Sequence, residues 1–218
     1  MEENERKEIV FYYESRQNPN GDPGFENQPR KLPDDRIIVT DVRIKRTIRD
    51  YAKNHLNKLL FVDFGKEGYP IKPDERAKEI WEDKHTGENR KDDYTYLLKD
   101  TFDVPLFGAL VPIKKNKEKK KKEKSEEESE EDNEEDNELT NFKITGPVQI
   151  GIGYSVNKPE ILSPMISSEF VGKEEKYGTF GRFYSVKYAL IKVHAAINPV
   201  NLKEYFMKDS SIKKAFDE

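Results

Sequence analysis

The 218-residue chain has no cysteine and few long apolar stretches. Without cysteine it forms no disulfides and binds no zinc through thiolates, and a cytosolic location is expected. No hydrophobic run approaches the roughly 20 residues that a transmembrane helix needs. The N-terminus also lacks the basic and apolar regions of a signal peptide. We therefore predict a cytoplasmic protein that does not span a membrane.

Hydrophobic residues are scarce as well, at 34% of the sequence against 38% charged residues. Such a composition predicts a small core, or a chain that is partly solvated. Residues 114–138 consist of a lysine block followed by a glutamate block, and their acidic excess accounts for the whole net charge of −4. We predict that this segment is a disordered insertion, with a transient charged helix as the alternative.

Local patterns predict a mixture of helices and strands. The β-branched and aromatic residues of Lys7–Ser15 predict a central strand, and the periodicity from Asp41 to about Leu59 predicts a helix. Further strands are predicted at 36–39, 59–64, 142–156 and 182–196, further helices at 73–82, at 92–102 and from 198, and a turn at 104–108. This order predicts a single α+β domain with a ferredoxin-like sheet, a helical insertion at 65–102, and no strand after the last helix.

The predicted strand at 142–156 has the clearest alternation in the chain. Apolar residues alternate with polar residues and glycines, so that one face packs on helices and the other is polar and thin. Gln149 lies on the thin face, which a second backbone could approach closely.

The helix that begins near Asp41 is predicted to be amphipathic. At about 100° per residue its apolar stripe contains Ile44, Ile48, Tyr51, Ala52, Leu56 and Leu59. A cationic ridge, defined as Lys45, Arg46, Arg49 and Lys53, lies within about 100° on the adjacent face, with Asp50 as its interleaved acid. We predict that this ridge faces solvent and binds a polyanion together with Arg30, Lys31 and Arg43. The alternative is a merely solvated face.

The segment before this helix is dense in turn-forming residues. The spacing of Asn18, Asn20 and Asp22 resembles a calcium loop, but Pro23 and Pro29 occupy the positions that require glycine and glutamate. Loop aspartates at 22, 34, 35 and 41 could supply an acid for RNA cleavage, yet no histidine lies nearby in sequence. Turn formation is the preferred interpretation. His55, predicted to be partly buried, His85 and His194 show no ligand spacing, and no metal or cofactor is predicted.

Five sequence blocks resemble the backbone subunit of type I CRISPR surveillance complexes (Cascade), in the RAMP superfamily, and within it the I-B and I-C branch. The blocks are NPNGDP at 18–23, VTDVRIKRTIRDY at 39–51, DVPLFG at 103–108, ITGPVQ at 144–149 and INP at 197–199. The resemblance implies a modified RNA-recognition-like palm, a thumb-like hairpin at 157–181, and a helical filament of copies around a guide RNA. The thumb would carry Met165, Ile166 and Phe170 at its tip.

The same resemblance implies which residues contact RNA and which partners the chain has. The predicted RNA-binding residues are Asn18, Asn20, Arg30, Arg43, Lys45, Arg46, Arg49, Lys53, Gln149 and Arg182. The implied partners are the guide crRNA, copies of the chain itself, other Cascade subunits, and target DNA through the guide. The chain departs from the family's pattern in its insertion at 114–138 and in lacking the closing helix–strand portion, so we expect a truncated or split gene product.

Three hypotheses of function follow from these observations. The first is a non-catalytic, guide-RNA-binding backbone subunit. The second is a RAMP-type ribonuclease that cleaves target RNA with Asp22 as the loop acid. The third is an interaction module that has lost RNA binding through truncation.

Overall fold

The computed structural model describes residues 5–87, 94–113, 140–167 and 180–217. The chain divides into two compact units, Met1–Ala52 with Val148–Pro199 and Lys53–Pro147 with Val200–Glu218. Helices and strands both occur, in agreement with the predicted α+β class. The predicted disordered insertion at 114–138 lies outside the described residues. Within the described ranges, no helix is both long and apolar enough to cross a bilayer.

The first unit is built on one antiparallel sheet. Strands β1 (Lys7–Ser15) and β13 (Ala189–Ile197) pair along their whole length. The sheet continues through β8 (Gly153–Ser155) to β4 (Ile38–Val39), and β7 (Val148–Ile150) also pairs with β13. The strand predicted at Lys7–Ser15 is confirmed, but its predicted central position is wrong, because the sheet order places it at one end.

Helix α1 (Asp41–Leu56) packs its apolar side near the sheet, where Ile44 approaches Gly153. Ile44 and Ala52 are buried, as predicted. The predicted stripe is wrong at Tyr51 and Leu56, which remain 58% and 49% exposed. The helix ends before Asn57, whose φ of 52° lies in the left-handed region and breaks the helical backbone.

The second unit surrounds its own hydrophobic core. It contains α2 (Pro73–Lys84), α3 (Leu97–Asp100), α4 (Asp103–Phe107), β5 (Gly108–Ile113), β6 (Thr140–Thr145), α5 (Lys203–Lys208) and α6 (Ser210–Asp217). Short 3-10 turns occupy Tyr94–Tyr96 and Pro199–Leu202. The core includes Trp81, Leu97, Leu98, Val104 and Leu202. The helix predicted at 73–82 is confirmed.

The strand predicted at 59–64 is absent, because side chains from elsewhere bond its backbone. The buried carboxylate of Asp103 accepts hydrogen bonds from the amides of Phe61 at 2.7 Å and Val62 at 3.0 Å. The Arg76 guanidinium donates to the Leu60 carbonyl at 2.8 Å. The segment therefore forms bends without entering a sheet.

The long strands predicted at 142–156 and 182–196 are each divided. The first becomes β6 in the second unit and β7 and β8 in the first, with breaks at Gly146–Pro147 and Gly151–Ile152. The second becomes β11 (Phe180–Arg182), β12 (Ser185–Val186) and β13. The predicted turn at 104–108 is mostly helix α4. Alternation alone could not show which partner strand each piece pairs with.

Two short antiparallel pairs lie in and beside the segment predicted as a hairpin. Strand β9 (Ile161–Leu162) pairs with β12, and β10 (Met165–Ser167) pairs with β11. These pairs form the hairpin base, the name used below for β9 to β12. The predicted tip residue Phe170 lies outside the described residues.

Candidate nucleic-acid interface

The turn-forming segment folds into a small hairpin, called the turn loop below (residues 18–30). Strands β2 (Gly21–Asp22) and β3 (Gln28–Pro29) pair and are joined by a 3-10 turn at Pro23–Phe25. The Asp22 carboxylate accepts a hydrogen bond from the Gly24 amide at 3.0 Å and lies 3.5 Å from the Arg30 guanidinium. Asp22 therefore caps a turn, which supports its interpretation as a turn former.

Three buried polar atoms of the turn loop have no hydrogen-bond partner in the part of the chain that the structure describes. They are Asn18 Oδ1, Asn20 Nδ2 and Arg30 Nε. The other amide atom of Asn18 is engaged, since its Nδ2 donates to the Asn27 carbonyl. Asn20 Nδ2 and Arg30 Nε are donors, whereas Asn18 Oδ1 is an acceptor. Burying a donor without a partner costs free energy, which an acceptor that reached these two atoms would recover. Phosphate oxygens are acceptors of this kind.

The cationic ridge on α1 is less available than the sequence predicted. Arg49 is buried, with 7% of its surface exposed, so the prediction that the whole ridge faces solvent is wrong there. Lys45 contacts Asp41 at 3.1 Å, and only 17% of its side chain is exposed.

Further acids compensate the rest of the ridge. Arg46 pairs with Asp50 at 2.8 Å, and Lys53 pairs with Asp63 at 2.5 Å. The sequence pattern had indicated Asp50 alone among these acids. Asp63 could not be found from helical spacing because it lies beyond the end of α1.

Helix geometry explains why Arg49 is buried. On an α-helix Arg49 lies only about 60° from Ala52, and Lys45 lies between the two. Ala52 is almost completely buried, so the buried face extends toward the ridge. The predicted apolar stripe was centred too far from Arg49, on the side of Tyr51.

Arg43 differs from the ridge residues. Its side chain is exposed, and within the described ranges it forms no ion pair with a carboxylate. It does lie close enough to Tyr13 for its charge to lower the pKa of that phenol, although burial, the larger effect, raises this pKa overall. Arg43 is therefore the α1 cation best placed to meet an external anion.

The remaining predicted RNA-binding residues lie on the sheet and the hairpin base. Gln149 is exposed on β7, opposite Ala196 of β13. Arg182 is exposed on β11, opposite Met165 of β10. Ile166 lies in β10 between Met165 and Ser167.

The hairpin base lies against the turn loop. The Tyr184 hydroxyl donates to Glu26 Oε2 at 3.1 Å, across 158 residues of sequence. A cavity of about 390 Å³ beside this contact is lined by Glu26, Met165, Gly181 and Arg182. Sequence reasoning missed Glu26 and Tyr184, since no local pattern connects residues so far apart.

The three histidines do not form a metal site among the described residues. His85 contacts Asp100 at 2.8 Å and stacks on Trp81, and His194 contacts Glu8 at 3.2 Å. His55 is exposed, so the prediction of a partly buried side chain is wrong. Among the described residues, no group of three or more acidic, histidine or cysteine side chains could hold a metal ion.

The chain was compared with known proteins by sequence and by structure. A family model described as CRISPR-associated protein Cas7 matches residues 5–217. A Haloferax volcanii protein named CRISPR-associated protein Cas7 is 45% identical over 51 residues, which cover 22% of this chain and only 15% of that relative. A solved structure named CRISPR RNA-guided surveillance complex, pre-nicking, aligns with 96% of this chain and 69% of its own, with a TM-score of 0.49 and 13% identity.

Proposed function

The chain belongs to the CRISPR-associated Cas7 family, and from this premise we propose that it is a guide-RNA-binding backbone subunit of a type I surveillance complex (Cascade) in antiviral defence. It holds single-stranded guide RNA mainly through phosphates, oligomerises along that RNA, and catalyses no reaction. Its partners are the guide crRNA, further copies of itself, other Cascade subunits, and target DNA through the guide. It acts in the cytoplasm, and within the family it falls in the I-B and I-C branch.

The observation that carries this proposal is the pair of unpartnered donors in the turn loop. Asn20 Nδ2 and Arg30 Nε are buried without a partner among the described residues. Phosphate contacts need such donors, and a guanidinium supplies a charge-assisted bond as well. The donors stand on a loop held by its own backbone hydrogen bonds, including Asn27 N to Asp22 O at 2.8 Å. A pre-shaped loop loses little entropy on binding RNA.

The position of Arg43 also supports the proposal. It is exposed near the start of α1, in the same compact unit as the turn loop. RNA phosphates attract such a cation through counterion release, an interaction that does not depend on base sequence. In this proposal Arg43 carries the contact that the sequence pattern had assigned to the ridge as a whole, while Gln149 and Arg182 extend the surface.

The proposal is tested by replacing Arg43 with alanine. The Arg43→Ala variant should weaken binding of single-stranded RNA similarly for all sequences, and should reduce the slope of log affinity against log salt by about one. Fluorescence anisotropy over a salt series measures both quantities. Lys78→Ala is the matched control, because Lys78 is an exposed cation paired with Glu82 on α2. Equal affinity and slope for wild type and Arg43→Ala would remove Arg43 from the interface.

The ribonuclease alternative is weaker because Asp22 is already engaged. Its carboxylate caps the 3-10 turn and faces Arg30. We expect no cleavage when the assembled complex is incubated with complementary RNA and a divalent metal. Regularly spaced cuts that disappear in Asp22→Ala would overturn the non-catalytic assignment. The interaction-module alternative predicts a monomer that does not change in size-exclusion chromatography when guide RNA is added.

A further inference from the structure

The sheet of the first unit has an outer face, which is the face directed away from α1. Helix α1 packs on the side of the buried residues of β13, which are Ala189, Ile191, Val193 and Ala195. Side chains alternate between the two faces of a strand, so the residues between these four, and their partners on β1, belong to the outer face. The pairing of β1 with β13 ends at Ser15 and Ala189. One step further, Arg16 and Tyr188 therefore lie side by side on the outer face.

Arg16 is a cation held in place by an aromatic ring. The central carbon of its guanidinium lies 5.7 Å from the centre of the Tyr188 ring. Arg16 is exposed, and within the described ranges it forms no ion pair with a carboxylate. The attraction between the cation and the ring fixes where the guanidinium lies, while its N–H donors point outward in the plane of the group. Arg16 thus presents positioned donors and an uncompensated charge to solvent.

The partner ring is itself fixed, because Asn157 bonds the backbone on both sides of it. Asn157 Nδ2 donates to the Tyr188 carbonyl at 2.9 Å, and Asn157 Oδ1 accepts from the Leu190 amide at 3.0 Å. These side-chain bonds continue the sheet past the end of β8, so the next residue, Lys158, lies at the same end of the sheet as Tyr188. Lys158 is exposed, and in the described part of the chain it forms no ion pair either.

A second arginine lies over a tyrosine on the same face. The Arg36 guanidinium is 5.0 Å from the centre of the Tyr154 ring, and Tyr154 lies opposite Lys192 of β13 on the outer face. Arg36 also pairs with Asp34 at 2.7 Å. Desolvation would raise the pKa of Asp34, but hydrogen bonds from Arg36 and the charges of Arg36 and Lys158 together lower it. Lys158 therefore lies close to this pair and adds a positive charge beside it.

The other acids at this end of the sheet offset only part of the positive charge. Glu160 is paired with Lys187 at 3.1 Å. Glu14 is exposed on β1, two residues before Arg16. Since neither Arg16 nor Lys158 is paired within the described ranges, positive charge remains in excess. Cations that alternate with aromatic rings are typical of surfaces that bind single-stranded nucleic acid.

We propose that this surface binds phosphates of the guide RNA strand as a second contact site beside the turn loop, an inference that rests on the proposed function. We call the surface the outer strip; it consists of Arg16, Lys158, Arg36, Tyr154 and Tyr188. The turn loop begins at Asn18, directly after Arg16 and Gln17, so a strand bound at the loop continues across this end of the sheet. Arg16 gives charge-assisted hydrogen bonds to one phosphate, and Lys158 attracts a neighbouring phosphate. Such contacts ignore base sequence and leave the base edges open to pair with a target strand.

The first test replaces Arg16 with alanine in the full chain and measures binding of single-stranded RNA by fluorescence anisotropy over a salt series. One phosphate contact on a single strand contributes about 0.7 to the slope of log affinity against log salt. Arg16→Ala should lower the slope by about this amount, which corresponds to about a fivefold loss of affinity at about 0.1 M salt. The loss should be the same for RNAs of different sequence. Lys187→Ala is the matched control, because Lys187 is an exposed cation beside Tyr188 that is already paired with Glu160.

A second measurement shows where the strand lies without changing the protein. RNA that carries 4-thiouridine is irradiated in complex with the wild-type chain, and the cross-linked peptides are identified by mass spectrometry. We expect adducts in the peptide that contains Tyr188 as well as in the turn loop. Glu14→Gln, which removes an acid next to the outer strip, should strengthen RNA binding, and Arg16→Lys should keep the salt slope while binding more weakly, because an ammonium cannot stack on Tyr188 in the same way.

The remaining results separate the outer strip from the proposed function. If Arg16→Ala binds RNA with wild-type affinity and slope while Arg43→Ala binds more weakly, the outer strip is overturned and the proposed function stands. Equal losses in Arg16→Ala and Lys187→Ala would reflect general charge and also overturn the strip, as would cross-links that never reach the Tyr188 peptide. Absence of RNA binding by the wild-type chain overturns both.

Discussion

At the scale of single residues, the buried carboxylate of Asp103 bonds two successive backbone amides of the loop at Phe61 and Val62. It is completely buried and accepts from the amides of Phe61 and Val62. One carboxylate can accept hydrogen bonds from two backbone N–H groups at once. In a β-sheet, such N–H groups donate instead to the carbonyl groups of a neighbouring strand. This one side chain therefore decides the local structure of residues more than forty positions earlier.

The first prediction concerns the loss of that carboxylate. Asp103→Ala leaves the buried amide of Phe61 and the partly buried amide of Val62 without this acceptor, and the free energy of unfolding should fall by about 2–5 kcal/mol. Urea unfolding followed by tryptophan fluorescence measures the change, since Trp81 lies in the same core. The matched control is Glu82→Ala, whose partner Lys78 is 3.7 Å away on the surface. Its stability should change by less than about 0.5 kcal/mol. Similar losses in the two variants would contradict a specific role for Asp103.

The second prediction concerns the pH dependence set by Asp209. A hydrogen bond from the Lys99 ammonium, with others from Ser211, lowers the pKa of Asp209 from its ordinary 3.8 to about 2. Because the folded state has the lower pKa, it favours the ionised form. This stabilisation is complete above about pH 4 and is lost as the pH falls toward 2.

Two variants should remove this part of the pH dependence. Asp209→Asn keeps an acceptor for the Ser211 amide but cannot ionise, and Lys99→Ala removes the donor that has the largest effect on the pKa. In both, the urea midpoint should depend less on pH between 4 and 2 than in wild type. Three parallel curves over this range would show that the pair does not couple folding to protonation.

At the scale of elements, the β5–β6 hairpin requires a glycine where two backbones meet. A Cβ at Gly146 would lie 2.3 Å from the Leu106 carbonyl oxygen and 2.4 Å from the Gly108 nitrogen. No flexible side chain is available to move aside, because both neighbours are backbone atoms. The close approach also marks the point where β6 ends and the chain passes to β7 in the other unit.

The third prediction tests this close approach. Gly146→Ala should destabilise the second unit by at least about 3 kcal/mol, since the backbone must separate to admit a methyl group. Gly68→Ala is the control in the same unit: it has a positive φ of 80° but nothing within 4 Å of its Cβ. It should cost only about 1–2 kcal/mol, from the left-handed backbone. Thermal and urea unfolding measure both. Equal effects would mean that the contact at Gly146 relaxes without strain.

Helix α1 shows a different limit of pattern-based reasoning. Its start at Asp41 and its amphipathic period follow from local sequence and are confirmed. Which arc of the helix is buried depends on what packs against it, and that arc includes Arg49 and excludes Tyr51. The acids that accompany its cations also reduce the attraction of those cations for any external anion.

At the scale of the whole molecule, the proposed function predicts how many copies bind one RNA. If the subunit forms a filament along its guide, the number of bound copies should rise in integer steps as the single-stranded RNA lengthens. Native mass spectrometry on a series of RNA lengths counts the copies directly. RNA-free protein at the same concentration is the control and should show no such series. One bound copy at every length would contradict oligomerisation along the guide.

Family membership could be predicted from sequence because its signals are short and local. The five blocks that carried the resemblance are confirmed at the level of the family by the match over residues 5–217. The Asn–Asp segment was likewise correctly interpreted as a turn, since capping by Asp22 involves a residue only two positions away. The branch within the family, the guide contacts and the partners stay predictions.

The sequence by itself determined β1, α1, α2 and the turn loop, because periodicity, capping and turn propensity act over a few residues. Only the tertiary structure decided that 142–156 is shared between two units, that Asp103 replaces a strand partner for Phe61, and that Tyr184 holds Glu26 beside Arg182. These outcomes depend on contacts between residues tens to more than a hundred positions apart. Such contacts leave no periodic signal in the sequence, because the free energy that selects them comes from burial and from pairing of polar groups across the fold.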